Sequence, residues 1–292
     1  MKILLIGNSY STYWPDELWG LLNAAGEKDV RVSNVYYSGC TFEMHWTWHE
    51  KGEANTHFFS CFSPVREERA DDYPSTLMHA LTADAWDVIS FQQSNRYGTE
   101  AMRRSIQEHF PPLYDLARSL HPNARYFWQQ NWAHEIKQGN TRRGEASLES
   151  QLARSAAFRT VAGEVFEEYG LTVVPLGDAW EAIRHNPVFY EKGEGEAPFR
   201  SLHTRIQSGG KLKGEIINTD LSHDGDVGGG QYLNAAVWYE MITHRSVIGN
   251  PFRPVYLYKG LDITLSEKKL ALLQNAAHEA VLNRYGENFY QK

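Results

Sequence analysis

At 292 residues, with hydrophobic residues at 42%, the chain is long enough to bury a sizeable core as one large α/β domain or two small ones. A formal net charge of −7 and a pI near 6.0 exclude a whole-chain basic field for nucleic acid or for an anionic membrane. Only Cys40 and Cys61 are available, which excludes a disulfide framework and a Cys-based zinc site; two reduced thiols are expected in cytosol, and a single bridge only after export.

Lys2 to Ile6 is a short apolar run ending in Gly7-Asn8-Ser9, which predicts a buried strand closed by a turn. Pro15 opens a helical pattern with Leu18, Leu21, Leu22 and Ala25 on one face. Val30 to Tyr37 predicts a second strand that stops at Ser38-Gly39. From Cys40 to about Asp72 periodicity disappears while Phe42, His45, Trp46, Trp48, His49, His57, Phe58 and Phe59 crowd in, and this reads as a long functional loop. Ser75 to Leu81 predicts a short helix and Trp86 to Gln92 a third strand. Glu100 to Leu120 follows as a helix, Arg125 to Gln130 as a fourth strand and Ser147 to Tyr169 as a long helix. Leu171 to Leu176 predicts a fifth strand ending in Gly177-Asp178, and Asn186 to Ile216 an irregular Gly-rich excursion. Helices from Gln231 to Thr243, after Gly228 to Gly230, and from Ser266 to Tyr285 complete the chain.

Strand and helix alternate five times, so the expected fold class is α/β: a single doubly wound domain, 1–292, with a roughly five-stranded parallel sheet between helices and inserts at about 40–72 and 186–216. In such sheets ligands bind beyond the carboxyl ends of the strands at the switch point of strand order. No apolar stretch approaches the roughly 20 residues of a membrane span. The opening run is also too short for a signal-peptide core. The expectation is therefore a cytoplasmic protein as the sequence stands, periplasmic or secreted if a leader has been removed, with no membrane partner and no nucleic-acid partner.

The switch-point rule directs attention to Ser9. A serine hydroxyl is a poor nucleophile at neutral pH and needs an adjacent base, usually a histidine oriented by a carboxylate. Alone, Asn8, Ser9 and Ser11 read equally well as helix caps. The loop Asn218-Thr219-Asp220-Leu221-Ser222-His223-Asp224-Gly225 follows the fifth strand and is expected on the same sheet edge. An Asp three residues before a His can fold back to accept from Nδ1–H and leave Nε2 facing a serine.

With these two segments the chain resembles the SGNH (GDSL-type) hydrolase superfamily, and within it a bacterial subgroup known mainly as a domain of unknown function. The marks are Ile6-Gly7-Asn8-Ser9-Tyr10-Ser11, Ser38-Gly39-Cys40 followed by Glu43-Met44-His45, Trp86-Asp87-Val88-Ile89 leading to Gln92-Gln93-Ser94, and Asp220 to His223 running into Gly230-Gln231-Tyr232-Leu233. The resemblance implies a flavodoxin-like three-layer fold, a Ser9–His223–Asp220 triad and an oxyanion hole built from the N–H groups of Ser9 and Gly39 and a side-chain amide. The family's Gly-x-Asn-Asp third block is absent here: Asn95 aligns by spacing, and Gln93 is the other amide that could take the role.

Around these residues, Glu43, His45 and Trp132 are expected to contact substrate. His45 and His49 form an i,i+4 pair, but no further ligands accompany it, so no metal and no cofactor is expected. Asp178 is a weaker orienting carboxylate than Asp220. The expected activity is that of a serine esterase on a small-molecule or carbohydrate ester, with acylated carbohydrate favoured by the aromatic 40–72 segment. The alternatives are a non-catalytic carbohydrate-binding protein on the same fold, or a lipase or thioesterase of the same superfamily. Oligomeric state is not legible in the sequence.

Overall fold

The computed structural model describes residues 1–62, 70–93, 98–134, 136, 144–184, 186–189, 191–192, 198–199, 205–208, 211–216, 229–258 and 261–291. The chain divides into two compact units. The first is Met1–Gln129 with Val161–Val173, and the second is Gln130–Thr160 with Val174–Lys292.

The first unit is built on a sheet of strands β1 (Lys2–Gly7), β2 (Arg31–Tyr36), β3 (Thr56–Cys61), β4 (Ala70–Ser75), β5 (Val88–Phe91), β6 (Arg125–Gln129) and β7 (Thr172–Val174), in the order β4-β3-β2-β1-β5-β6-β7. β1 pairs in parallel with β2 on one side and β5 on the other, and β5 pairs in parallel with β6. Every residue of β1 after Lys2 is buried, as is all of β5, so both faces of the sheet are covered. The chain leaves β1 for β2 on one side and returns to β5 on the other. This makes the carboxyl end of β1 the switch point of the strand order.

The helices follow the sequence pattern. α1 (Pro15–Ala24) begins with Pro in its first turn and buries Leu18, Leu21 and Leu22. α3 (Leu77–Thr82) is capped by the Thr76 hydroxyl, which accepts from the N–H of His79 at 3.1 Å. α4 (Thr99–Leu120) buries Met102, Ile106, Phe110, Leu113 and Ala117 at helical spacing.

The stretch from Cys40 to Asp72 departs from the expected long loop. It contains α2 (Phe42–Lys51), β3 and β4, the last two adding antiparallel strands to the β2 edge and raising the sheet to seven strands. Local chemistry explains α2: the Thr41 hydroxyl accepts from the N–H of Met44 at the start, and Gly52 closes the end at φ +66°, where a side chain is disfavoured.

α5 (Leu148–Tyr169) contributes residues to both units. In the second unit, α6 (Leu176–Ile183) starts where the fifth strand was expected to continue, because Pro175 ends β7. Four short strands, β8 (Glu191–Lys192), β9 (Pro198–Phe199), β10 (Arg205–Ser208) and β11 (Lys211–Ile216), form two antiparallel ribbons within the expected irregular excursion. A third ribbon pairs β12 (Val255–Tyr258) with β13 (Leu261–Thr264). α7 (Gly230–Thr243) is buried on every face from Gly230 to Ile242, and α8 (Glu267–Tyr285) packs on it. Glu240 of α7, fully buried, accepts from the N–H of Val247 at 2.7 Å and from the Tyr290 hydroxyl, and lies 3.2 Å from Nδ1 of His278. That network ties α7, α8 and the chain's last turn together.

Gly7 is required by close approach. A Cβ there would stand 2.6 Å from Oε1 of Gln92 and 3.1 Å from Oγ of Ser11. Gly7→Ala is expected to destabilise the protein by about 1–3 kcal/mol through overpacking, read as a lowered urea midpoint. An unchanged midpoint would mean that the Gln92 side chain has room to move.

Candidate active site

Beyond Gly7 the chain turns through a 3-10 segment, Ser9–Ser11, in which Asn8 is the cap and Ser9 is 4% exposed. The Asn8 side chain does two things at once. Its Oδ1 accepts from the N–H of Tyr10 at 3.1 Å, and its Nδ2 donates to the carbonyl of Cys40 at 3.0 Å. The backbone of Asn8 is equally committed: its N–H donates to Oε1 of Gln92 at 2.9 Å, and its carbonyl accepts from Ser11 Oγ at 2.9 Å. Nδ2 of Asn34, on β2, donates to the Ser11 carbonyl and holds the turn from the other side.

The segment after β2 is a four-residue turn, Tyr37-Ser38-Gly39-Cys40, closed by the N–H of Cys40 donating to the Tyr37 carbonyl at 3.1 Å. Gly39 has φ +69°, the value the third position of a type II turn demands. The hydrogen bond that closes this turn uses the N–H of Cys40, so the Gly39 N–H at the tip takes no part in it. Because Asn8 Nδ2 bonds Cys40 O, the turn carrying Gly39 is fastened to the turn carrying Ser9.

His45 supports this edge from below. It is 1% exposed on α2, and its Nε2 lies 3.0 Å from the Gly7 carbonyl. Burial lowers its pKa to about 4, the bond to Gly7 offsetting only part of that effect, so the ring is neutral at pH 7. A neutral ring facing a carbonyl carries its proton on Nε2 and donates. His45 therefore anchors the end of β1, and the expectation that it touches substrate gives way to a supporting role.

The two glutamines after β5 are buried. Oε1 of Gln92 takes the Asn8 N–H, and Oε1 of Gln93 takes the N–H of Phe42 at 2.8 Å. Both carboxamide oxygens thus cap backbone N–H groups near the strand end. Any hydrogen bond from Gln93 to a substrate oxygen must come from Nε2. Cys40 is buried, its thiol pKa pushed far up by desolvation, and it forms no disulfide with Cys61.

Of the other expected site residues, Glu43 is exposed on the first turn of α2, where its N–H bonds Ser105 Oγ at 3.2 Å. Trp132, in the second unit, is fully buried and stacks on Trp180 at 4.8 Å and 2°, which makes it interior packing and not a substrate wall. Asp178 accepts from Nε2 of Gln130 at 3.2 Å and pairs with Arg159 at 2.7 Å. Asp220, His223 and Asn95 lie outside the described residues. The structure thus brings Ser9, Gly39, Gln93 and His45 to one sheet edge, linked through Asn8, Gln92 and Asn34, of which sequence reasoning passed over Asn34.

Two tests follow from this geometry. Asn8→Asp replaces the Nδ2 donor with an oxygen facing the Cys40 carbonyl; a loss of about 1–3 kcal/mol in unfolding free energy is expected, and wild-type stability would show that the bridge is dispensable. His45→Gln keeps a donor for Gly7 but removes the titration. Because the folded His45 pKa is depressed, its contribution is fully present above about pH 6.5 and is lost as pH falls towards about 4. Wild type should therefore lose about 2 kcal/mol more stability than the variant between pH 7.5 and 5. Parallel losses in urea melts at the two pH values would place the ring elsewhere.

Comparison with known proteins agrees with the fold. The DUF4886 family, described as a domain of unknown function, matches residues 2–160. A crystal structure of a DUF4886 family protein from Bacteroides uniformis is similar with a TM-score of 0.70 and 21% identity, over 97% of this chain and 95% of its own. Fainter likenesses include an extracellular lipase from Streptomyces rimosus, at a TM-score of 0.41 and 15% identity, over 80% of this chain and 97% of that one. Another is the periplasmic domain of a lipopolysaccharide acetyltransferase from Salmonella ser. Paratyphi A, at 0.44 and 12%, over 83% and 84%. No curated protein matches the chain. On the match over residues 2–160, and with the α/β sheet and the Gly7-Asn8-Ser9 strand end already in place, the chain belongs to the DUF4886 family.

Proposed function

We propose that the protein is a serine ester hydrolase with Ser9 as nucleophile. The observation that carries this reading is the Asn8 bridge at the switch point. It fastens the turn presenting the Ser9 hydroxyl to the turn presenting the Gly39 N–H, the pair of features that acyl transfer requires side by side.

The chemistry follows from those groups. Oγ of Ser9 attacks the ester carbonyl while His223 takes the hydroxyl proton and Asp220 steadies the imidazole. The carbonyl oxygen becomes an oxyanion, which the N–H groups of Ser9 and Gly39 receive together with a third donor, Nε2 of Gln93 or the Asn95 amide. Collapse expels the alcohol as its oxygen takes the proton back from His223, leaving an acyl group on Ser9. Water, activated by the same histidine, then releases the acid. Preorganised turn N–H groups cost little to align at the moment of reaction, and that is the use of fixing both turns in advance. The substrate class favoured, as acyl donor, is an acylated carbohydrate, on the aromatic character of the 40–72 segment.

Incubation with a fluorophosphonate probe tests the assignment. A covalent adduct on Ser9 is expected by peptide mass analysis, with loss of acetyl ester hydrolysis by at least about 10³-fold in Ser9→Ala. A labelled residue other than Ser9, or unchanged turnover in the variant, would sink it; carbohydrate binding with neither labelling nor turnover would favour a non-catalytic binder.

A further inference from the structure

We propose that Tyr37 and Trp48 form the platform on which the sugar ring of the substrate stacks. The inference rests on the ester-hydrolase reading of Ser9, whose site it extends.

Position comes first. In the sheet, Tyr36 is the register partner of Gly7 on neighbouring strands about 4.8 Å apart. Tyr37 lies one residue beyond Tyr36, and Ser9 two residues beyond Gly7. Tyr37 is also the first residue of the turn that presents the Gly39 N–H, its carbonyl closing that turn. It therefore sits at the rim of the site. Trp48 reaches the same place from α2, one turn after His45, which is anchored to Gly7. The two rings meet edge to face, with centroids 5.1 Å apart and planes at 76°.

Exposure then distinguishes this pair from the core aromatics. Tyr37 is 40% exposed and Trp48 is half-buried. The indoles of Trp14, Trp19, Trp86 and Trp180 all donate to protein acceptors, at 2.7–3.1 Å. Among the described residues, the Tyr37 hydroxyl and the Trp48 indole N–H have no hydrogen-bond partner. An aromatic face with an uncommitted donor at its rim suits a ligand that is apolar on one face and hydroxylated around its edge.

A pyranose ring has that character: its axial C–H groups can lie on the electron-rich face of an aromatic ring while its equatorial hydroxyls turn outward. Two aromatic planes near a right angle make a corner, one wall for the C–H face and the other carrying a donor for a rim hydroxyl. A long acyl chain would instead need a continuous apolar trough, with the two donors buried unused against it. The corner stands beside Gly39 and outside the turn that holds Ser9, which assigns it to the alcohol part of the ester rather than the acyl group.

The test compares Tyr37→Ala, Trp48→Ala and the aromatic replacement Trp48→Phe in the full chain. Two substrates are used, methyl 6-O-acetyl-glucopyranoside and p-nitrophenyl acetate, and in parallel the acetylated glucoside is titrated calorimetrically into Ser9→Ala with and without the platform changes. The ratio of kcat/KM for the glucoside over the nitrophenyl ester should fall by about tenfold in either alanine variant, mainly through KM, with binding weakened by a similar factor and largely kept in Trp48→Phe. Proportional losses on both substrates would overturn the platform and leave the esterase standing. So would glucoside binding that ignores the alanine changes, or turnover of the nitrophenyl ester with no glucoside binding. Glucoside binding that depends on Tyr37 and Trp48 without hydrolysis of either ester would sink the esterase and keep the platform. Absence of both binding and hydrolysis would remove both, leaving the exposed pair to a protein partner.

Discussion

Asn8 is the constraint on which the rest of the site depends. One residue uses its N–H, its carbonyl, its side-chain oxygen and its side-chain nitrogen, and each goes to a different place: Gln92 just beyond β5, Ser11 and Tyr10 in its own turn, and Cys40 beyond β2. The central strand is thereby pinned to its neighbours on both sides at the point where backbone pairing ends. Each such bond contributes only about 1 kcal/mol net, but leaving any of these buried groups without a partner would cost more, so the set is satisfied together or not at all.

Carboxamides recur at this edge. In the first unit, Asn8, Gln92, Gln93 and Gln129 stand at the ends of β1, β5 and β6, all buried. His45 is held neutral among them. Amides can fix geometry in both donor and acceptor directions without adding a field of their own.

Much of this was legible in the sequence, for identifiable reasons. β1, β5 and β6 are short apolar runs bounded by polar residues, and α1, α4 and α8 carry helical spacing with proper starts, so the parallel core and its switch point could be read directly. α2 could not: Phe42-Glu43-Met44-His45-Trp46-Thr47-Trp48-His49 spreads aromatics and histidines around the helix and shows no dominant apolar stripe. Its signals were at the ends, Thr41 as a cap and Gly52 as a left-handed stop. Val173-Val174-Pro175-Leu176 reads as one apolar run, which hid the boundary between β7 and α6 at the proline. The segments carrying Ser9 and Gly39 were visible as motifs, but the links that fasten them were not. A hydrogen bond from residue 8 to residue 92 leaves no trace in local spacing.

That long reach sets the timing of the site's appearance. Asn8 and Ser9 precede the groups that shape their turn: Cys40 and Gln92 lie 32 and 84 residues beyond Asn8 in the chain. The loop that must close before Asn8 meets Gln92 carries an entropic cost that only sheet pairing can offset. During translation the Gly7-Asn8-Ser9 segment therefore emerges unformed and stays so until β5 has left the ribosome and docked. Whatever reactivity the serine has belongs to the assembled sheet, and a truncated chain that stops before Gln92 carries the motif without the site.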